Sequence, residues 1–489
     1  MNAVHIDRLK IVLRPDRTRV LLRPFLQTGD RRAMKLCAQV MALSEQDVCE
    51  LWNQVQAEFG SRHTKIEEFL CQRFSRARGC LHPGQKLSKE RKLLLGAYFS
   101  HEYSLEASAL FNPSIVPHPD QSDLPDGSLR FILSLRATGE GHISSITFRT
   151  GVLDENGGVT ITEPTRYCLE PAQIPNAAYH KPLFARKLQE LGLAGSLSEY
   201  VFQGLENSFT QNELRARVQE AVKDRPKQDR KAHTAAAKIM MLAQSNYEVQ
   251  FAADTRPSER VLFPSTPSQS NGIEDARFVL FQNDDGAQTY YATYTAYDGK
   301  TVLPQFVETA DFLRFKFSTL NGPAVQNKGM ALFPRKINGF YTMLGRQDAE
   351  NIYVLFSENL HFWNDSKLVL KPKFPWEFIQ IGNCGSPIET AAGWLVISHG
   401  VGPMRKYCIG AFLLDLNDPG KVISRLREPL ITPDENEREG YVPNVVYSCG
   451  SLIHGSRLIL PYAMSDYATT FATLSLDELL SAMEPINCR

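Results

Sequence analysis

The sequence lacks an excess of charge of either sign and lacks any long apolar run. Its 489 residues contain 54 Lys and Arg against 54 Asp and Glu, so the formal net charge is zero. A nucleic-acid binder would concentrate positive charge for phosphate contacts, and this balance argues against that class. No window reaches the roughly 18–20 apolar residues that a membrane span requires. We therefore predict a globular protein with no nucleic-acid or membrane partner.

Close cysteine and histidine pairs are also missing. The nine cysteines are widely spaced, and Cys71 and Cys80 stand too far apart for a zinc knuckle, so we predict no metal site. A Walker motif and a G-x-S-x-G elbow are absent too. Charged residues such as Asp7, Arg8 and Lys10 interrupt the first apolar stretch, which excludes a signal-peptide core. These features predict a reducing, cytoplasmic compartment with cysteines as small core residues.

Helical patterns dominate the first hundred residues. Ser44 to Asp47 resembles a capping arrangement ahead of Val48 and Trp52, which share one helical stripe. Further helices are expected near residues 65–74 and 88–98. We predict that residues 1–109 form a helical N-terminal extension that serves packing or oligomerisation.

Short strand-like runs bounded by Gly, Pro, Asn and Asp follow from residue 110 onward. They lie at residues 129–137, 143–153, 276–281, 289–297, 339–345, 351–356, 393–400, 407–416 and 456–464. A segment at about 177–245, rich in Leu, Ala, Glu and Lys, predicts an inserted helical pair. Roughly 300 β-rich residues remain, which at about 40–60 residues per four-stranded blade would fill about five blades. A sandwich or a barrel satisfies the same pattern.

Polar and glycine-rich clusters interrupt the β pattern in a fixed order. They include FNPSIVPHP, SLRATGEGHISS, NGIEDARF, TAYDG, KGMALFPRKINGFYTMLGR, SHGVGPMRKY and YAMSD. From about residue 110 to 480 this series resembles glycoside hydrolase family 130, the β-mannoside phosphorylases and β-1,2-mannosidases. The resemblance implies a mainly β fold, a five-bladed β-propeller spanning residues 110–489, with the active site in its central depression.

The resemblance implies that Asp275 is the general acid. In the family this Asp follows Glu in a G-x-E-D-P-R segment, and the chain reads Gly-Ile-Glu-Asp-Ala-Arg over residues 272–277. Ala276 departs from the usual Pro but removes no reacting group. An acid must sit beside the departing glycosidic oxygen, and the family passes its proton through a hydroxyl of the bound sugar.

The nucleophile decides between two reactions. An inverting phosphorylase uses inorganic phosphate and needs a cationic pocket. The resemblance assigns phosphate binding to Lys336, Arg346, His399 and Tyr407. An inverting hydrolase needs a second carboxylate instead, about 6.5–9.5 Å from the acid. The carboxylates that keep hydrolysis open are Glu389, Glu437 and Glu439.

The resemblance assigns sugar recognition to four residues of the matching segments: Asn112, Arg136, Asp298 and Asp466. Asn112-Pro113 and Asp298-Gly299 are also ordinary turn pairs, so a structural role is the alternative for each. We predict an inverting phosphorylase that cleaves β-1,2-manno-oligosaccharides to α-mannose 1-phosphate, with phosphate as co-substrate and no cofactor. The alternatives are a β-1,2-mannosidase and a non-catalytic sugar-binding propeller. The extension and the insert offer surfaces suited to a homo-oligomer.

Overall fold

The computed structural model describes residues 4–25, 31–81, 84, 86–175, 178–223, 225–226 and 229–486. Antiparallel strands dominate these ranges, and most of the helices form two groups, one before residue 100 and one between residues 181 and 244. No helix within the described ranges has the length and apolar character needed to cross a bilayer. The fold is mainly β with helical additions.

The first hundred residues combine four helices with three strands. In chain order these are β1 (Asp7–Leu13), β2 (Val20–Pro24), α1 (Arg31–Met41), α2 (Glu45–Phe59), α3 (Ile66–Ala77), α4 (Lys89–Tyr98) and β3 (Ser100–Ser104). The predicted cap of α2 is confirmed, because Ser44 Oγ accepts a hydrogen bond from the Asp47 amide at 3.1 Å. Val48 and Trp52 are buried on the predicted stripe. Strands β2 and β3 pair with each other.

The next strands form an antiparallel meander in which each strand pairs with its successor. It contains β4 (Ala109–Pro117), β5 (Leu129–Thr138), β6 (Ser144–Leu153) and β7 (Val159–Ile161). Strand β4 is buried along nearly its whole length, as expected for a strand covered on both faces.

Four helices, rather than the predicted pair, follow this first sheet. The segment contains β8 (Ala172–Ile174), β9 (Ala178–His180), α5 (Lys181–Glu190), α6 (Ser196–Gln203), β10 (Ser208–Thr210), α7 (Gln211–Lys223), α8 (Arg230–Gln244), β11 (Tyr247–Gln250) and β12 (Val261–Leu262). The helices bury their own core around Phe184, Val201, Leu214 and Ile239. Residue 177, at the predicted start of the insert, lies outside the described residues.

Four further groups of strands complete the chain, here called the second to fifth sheets. The second is joined to the first by one parallel pair, Gly272 with Ser144 of β6. The second contains β13 (Gly272–Gln282), β14 (Gln288–Tyr297), β15 (Val302–Thr309) and β16 (Arg314–Thr319). The third contains β17 (Ala331–Leu332), β18 (Tyr341–Gly345), β19 (Ile352–Ser357) and β20 (Asp365–Leu370). The fourth contains β21 (Gln380–Asn383), β22 (Ile388–Thr390), β23 (Gly393–Val401), β24 (Tyr407–Leu414) and β25 (Val422–Arg425). The fifth contains β26 (Val446–Tyr447), β27 (Leu452–His454), β28 (Arg457–Met464) and β29 (Ala468–Ser475). Helix α9 (Leu476–Ala482) follows, and the last strand, β30 (Glu484–Pro485), returns to pair with β25 of the fourth sheet.

Each of the nine runs predicted as strands overlaps a strand of the structure. The alternation of apolar and polar residues explains this agreement, since most of these strands bury at least one face. Most of the long strands pair with the next strand along the chain, whereas several short strands, such as β11 and β12, pair with strands that are distant in sequence.

Neighbouring sheets share apolar cores in a closed succession. Separate clusters join the first sheet to the second, the second to the third, the third to the fourth and the fourth to the fifth. A further cluster joins the fifth sheet back to the first, with Ile459 and Phe471 packed among residues such as Phe131 and Leu133. Every sheet therefore buries side chains against two others.

The fifth sheet uses strands from distant parts of the chain. Strand β1 pairs antiparallel with β29, so that Asp7 lies opposite Thr473 and Leu13 opposite Thr469. The side chain of Arg457 also contacts the Asp7 carboxylate. Residues near the beginning of the sequence thus supply the outer strand of the last sheet.

Candidate active site

The predicted acid Asp275 lies at a distortion of β13. The register of β13 against β14 shifts between Glu274 and Arg277, and Asp275 has φ of 55°. Asn112, at a similar shift in β4, has φ of 50°, and Asp466, in the turn between β28 and β29, also has φ of 50°. Left-handed backbone is costly for residues other than glycine and concentrates at functional sites. Three of the predicted site residues share this feature.

The Asp275 carboxylate is held by two of the predicted sugar-binding residues. Asn112 Nδ2 donates to Asp275 Oδ1 at 2.7 Å, and Arg136 Nη1 approaches the same oxygen at 3.4 Å. Arg136 also donates to Glu274 Oε1 at 2.7 Å. Only 7% of Asp275 is exposed, and the buried Asn112 Oδ1 lacks a hydrogen-bond partner among the described residues. That oxygen can accept a hydroxyl donor.

The charge around Asp275 favours its ionised form. Burial alone would raise the pKa of the carboxyl group, but Arg136, Lys328 and Arg277, together with the Asn112 hydrogen bond, lower it to about 2. The free site therefore holds an aspartate anion between three cations.

Asp466 is a second carboxylate in the same electrostatic environment. Burial and the neighbouring Asp275 charge raise its pKa to about 6, against the opposing effects of Arg136, Arg405 and Lys328. Two carboxylates that share one set of cations thus have pKa values displaced in opposite directions. This separation is the usual mark of a site with distinct proton roles.

The raised pKa of Asp466 predicts a pH-dependent stability difference. Because the folded state binds this proton more tightly than the unfolded state, the free energy of unfolding falls as pH rises from about 4 to about 6. Asp466→Asn should remove that loss and stabilise the protein on the order of 2 kcal/mol at pH 7.5, with little effect at pH 4. Urea unfolding of both proteins at the two pH values measures it. An equal difference at both pH values would contradict the assignment.

Three of the predicted phosphate-binding residues lie together. Arg346 Nη1 is 3.2 Å from His399 Nε2, and the Tyr407 ring stacks on His399 with centroids 5.8 Å apart. Burial, followed by the charges of Arg346 and Arg277, lowers the pKa of His399 well below its usual value. The imidazole is therefore neutral and can accept the Arg346 hydrogen bond through Nε2.

Arg277 joins this cluster from the acid side. Its Nη2 donates to Tyr447 Oη at 2.6 Å, and the Tyr447 ring packs on His399 at a centroid distance of 4.9 Å. Arg277 and Arg346 are 3% and 9% exposed, and the Nε of each lacks a hydrogen-bond partner among the described residues. Within those ranges no carboxylate oxygen lies within 4.0 Å of a guanidinium nitrogen of Arg277 or Arg346. Neither of these two buried guanidinium groups therefore forms a contact ion pair with a carboxylate of the described residues.

Lys336 is not part of the cluster, contrary to the sequence prediction. Its Nζ contacts Asp284 Oδ2 at 2.7 Å, beyond the end of β13 that is farthest from Asp275. The lysine near the acid is Lys328, whose Nζ is 3.9 Å from Glu274 Oε2 and whose charge acts on Asp275. Lys336 precedes the turn that starts β18, whereas Arg346 follows its other end, so the two residues lie at opposite ends of that strand.

Asp298 lies at the same end of the sheet as Asp275, but its carboxylate closes a turn. Its Oδ1 accepts the amides of Lys300 at 2.8 Å and Thr301 at 2.6 Å. These contacts are those of a turn residue, the alternative that the sequence offered for Asp298. Its role in sugar binding stays a prediction.

The carboxylates that a hydrolase would need have other partners. Glu389 pairs with Arg335 on the surface. The buried Glu437 accepts hydrogen bonds from Tyr462 Oη at 2.5 Å and from Arg8 Nη2 at 3.4 Å. Glu439 is exposed. Within the described ranges none of the three contacts Asp275 or His399, whereas Asp466 interacts electrostatically with Asp275.

Four residues of the cluster escaped the sequence prediction: Glu274, Arg277, Lys328 and Tyr447. The first three stand inside motifs quoted above, and Tyr447 stands in GYVPNVVYSCG (440–450), a further glycine-containing cluster of the β-rich region, so the signal was the motif itself. Among the described residues, no three His, Cys, Asp or Glu side chains converge as metal ligands. The eight cysteines within those ranges are unpaired, and Cys384 Sγ lies 3.9 Å from His399 Nδ1.

Comparisons with known proteins show which proteins this chain resembles. The family model Glyco_hydro_130, described as beta-1,4-mannooligosaccharide phosphorylase, matches residues 230–485. The 1,2-beta-oligomannan phosphorylase of Thermoanaerobacter sp. (strain X514) is 37% identical over 232 residues, 46% of this chain and 75% of the relative. The beta-1,2-mannobiose phosphorylase of Listeria innocua serovar 6a is 31% identical over 251 residues, 50% of this chain and 68% of the relative. A solved structure of a Listeria innocua beta-1,2-mannobiose phosphorylase superposes with a TM-score of 0.45 and 22% identity, covering 77% of this chain and 92% of that one.

Proposed function

The chain belongs to glycoside hydrolase family 130, and we propose that it is an inverting β-mannoside phosphorylase. Its substrates are β-1,2-linked manno-oligosaccharides and inorganic phosphate, and its product is α-mannose 1-phosphate. One observation carries the choice of phosphorolysis: Arg277 and Arg346 are buried on either side of His399 without a carboxylate partner.

Buried guanidinium groups without an anion are costly, because each has lost its hydration. A phosphate dianion offers several acceptor oxygens and two negative charges, which match forked arginine donors. Water offers neither. A hydrolase would need a carboxylate beside the water, whereas this side of the site contains Arg346, neutral His399 and Tyr407. The anion pocket therefore favours phosphate as the nucleophile.

The reaction divides the site into two halves. Asn112, Arg136 and Asp466 bind the mannosyl unit beside Asp275, while Arg277, Lys328, Arg346, His399 and Tyr407 hold phosphate. A phosphate oxygen forms a bond to the anomeric carbon as the glycosidic bond breaks. The leaving oxygen takes a proton that originates on Asp275, through a hydroxyl of the bound sugar. Attack opposite the leaving group converts the β-linkage into the α-phosphate.

Phosphate binding also prepares the acid. Lys328 and Arg277 lower the pKa of Asp275 in the free site, and a dianion bound to the same cations offsets their charge. We therefore expect the pKa of Asp275 to rise when phosphate enters, which favours the protonated carboxyl group that the reaction needs. The proton donor and the nucleophile are coupled through shared cations.

We assign the five sheets of residues 110–489 to the blades of a five-bladed propeller. The support is the closed succession of shared cores and the convergence of site residues from all five sheets. Residues 1–109 form an extension whose first strand completes the last blade, and the helices at about 177–245 form an insert. Inorganic phosphate is the co-substrate, with no cofactor, and the compartment is the cytoplasm.

Product analysis tests the proposed function. The purified protein is incubated with β-1,2-mannobiose, with and without inorganic phosphate. We expect α-mannose 1-phosphate only when phosphate is present. Free mannose released at the same rate in both conditions would identify a hydrolase, and no turnover on a panel of β-mannosides would favour a sugar-binding protein.

A lysine pair tests the composition of the phosphate pocket. Lys328→Met should raise the KM for phosphate about 10-fold, the effect of losing one charge-assisted contact. Lys336→Met should leave that KM unchanged, because its ammonium group pairs with Asp284 instead. Initial rates at varied phosphate measure both. A larger rise in the phosphate KM for Lys336→Met than for Lys328→Met would instead assign Lys336 to the phosphate pocket.

A further inference from the structure

Tyr441 is an exposed aromatic residue tied to a distant part of the chain. Its ring is 48% exposed, yet its Oη lies 3.1 Å from His142 Nδ1, and the two rings are 5.8 Å apart at 37°. His142 lies in the turn between β5 and β6, and Tyr441 lies in the loop before β26, so the contact joins the first sheet to the last.

The His142 end of this contact adjoins the mannosyl half of the site. The turn that contains His142 connects β5 to β6, and His142 itself is left-handed with φ of 60°. At the base of the turn, Ser144 Oγ accepts a hydrogen bond from Arg136 Nε at 2.9 Å. Arg136 in turn contacts Asp275. The position of His142 is thus set by the strands that hold the acid.

The Tyr441 end adjoins both halves of the site. The Val442 amide donates to the Ser465 carbonyl at 3.0 Å, and Ser465 directly precedes Asp466. Gly440 packs so closely on this turn that a Cβ there would lie 2.5 Å from the same carbonyl oxygen. Further along the loop, the Asn444 carbonyl accepts the Tyr407 amide at 3.0 Å. The loop therefore runs from the Asp466 turn to the phosphate-side tyrosine.

The hydrogen bond to His142 holds the exposed Tyr441 ring in a defined orientation. The ring gains little from burial, and the hydrogen bond removes side-chain freedom that an exposed tyrosine would otherwise keep. Such a ring is ready to stack on the apolar face of a sugar. In an inverting displacement the leaving sugar departs away from phosphate, on the side of Asp275 and Arg136, where His142 is anchored.

We propose that Tyr441, fixed by His142, is the stacking platform for the leaving-group sugar. This inference rests on the proposed function. The Tyr441 ring covers the apolar face of the sugar on the reducing side of the scissile bond, and His142 fixes the ring across the gap between the first and last sheets. The pair sets the affinity for that sugar and leaves phosphate binding alone.

Steady-state kinetics in both directions test the platform. Tyr441→Ala should raise the KM for β-1,2-mannobiose, and the KM for mannose in the reverse reaction, about 5- to 10-fold, the range of one aromatic stacking contact. The KM values for phosphate and α-mannose 1-phosphate should not change, because neither contains the leaving sugar. Tyr441→Phe and His142→Ala keep the aromatic ring but remove its hydrogen bond. Each should raise the KM values for mannobiose and mannose about 2- to 3-fold.

Phe340→Ala is the matched control. Phe340 is 40% exposed in the turn before β18, at the end of that sheet opposite Arg346, and its removal should change no KM. Unchanged KM values for mannobiose and mannose in Tyr441→Ala would overturn the platform. An equal rise in the KM for phosphate would also overturn it, because that result marks a general distortion of the site.

Calorimetric titration with β-1,2-mannobiose separates this inference from the proposed function. If the wild-type protein binds mannobiose but forms no mannose 1-phosphate, the phosphorylase assignment fails, and weaker binding by Tyr441→Ala would still support the platform. Equal binding by the wild-type protein and Tyr441→Ala, or binding by neither, would overturn it.

Discussion

Asp275→Asn lowers the rate of phosphorolysis by about 10²- to 10⁴-fold, the usual contribution of a general acid. The amide keeps the size of the side chain and can still interact with Asn112, so the fold should persist. It cannot supply a proton. Rates of α-mannose 1-phosphate formation from β-1,2-mannobiose measure the loss, and circular dichroism checks the fold.

The form of the residual activity identifies the acid role. A substrate with an acidic phenol as leaving group needs less protonation, so Asp275→Asn should slow its cleavage far less than that of mannobiose. Asp284→Asn is the matched control, since Asp284 lies beyond the other end of β13 and should leave both rates unchanged. Equal losses on both substrates would mean that Asp275 positions the sugar rather than donating the proton.

Arg346→Met raises the KM for phosphate about 10- to 100-fold, as expected for the loss of a charge-assisted contact of about 1.5–3 kcal/mol. The same substitution should leave the thermal stability of the phosphate-free protein unchanged or higher, because it removes a buried cation that lacks a carboxylate partner. The substitution should therefore weaken phosphate binding without lowering the stability of the fold. Thermal unfolding with and without phosphate measures both.

Phosphate should raise the melting temperature of the wild-type protein and have little effect on Arg346→Met. Arg346→Lys should fall between the two, since a lysine retains the charge but loses the forked donors. Arg335→Met is the control, because Arg335 pairs with Glu389 on the surface. A destabilised Arg346→Met protein with an unchanged phosphate KM would assign Arg346 to structure instead.

Local patterns predicted the strands, whereas the residues on the acid side were assigned from the family resemblance. Asn112, Arg136 and Asp275 belong to separate motifs, and the structure joins them by direct hydrogen bonds. The unusual backbone of Asn112 and Asp275 accompanies shifts in strand register. A shift of this kind depends on the partner strand, so the sequence of one strand does not reveal it.

The structure does not bring Lys336 to the cluster, and sequence order alone does not tell which end of a strand faces a site. Lys336 and Arg346 flank one strand and therefore lie at its opposite ends. Glu437 presents the same difficulty over a longer range, since its partner Arg8 is 429 residues away. Such pairings arise from tertiary packing alone. Arg277, by contrast, stands two residues from Asp275, and its lack of a partner became visible only with burial.

The pairing of β1 with β29 has a consequence for how the enzyme is made. A ribosome releases Asp7 long before it polymerises Thr473, so strand β1 waits without its neighbour until that strand has been made. The turn with Asp466 is formed by the same hairpin. Catalytic competence should therefore appear only after residue 473 has left the ribosome, and refolding should be slow because this contact closes a very long loop. The gain of activity during refolding would then follow the docking of β1 rather than the earlier appearance of secondary structure.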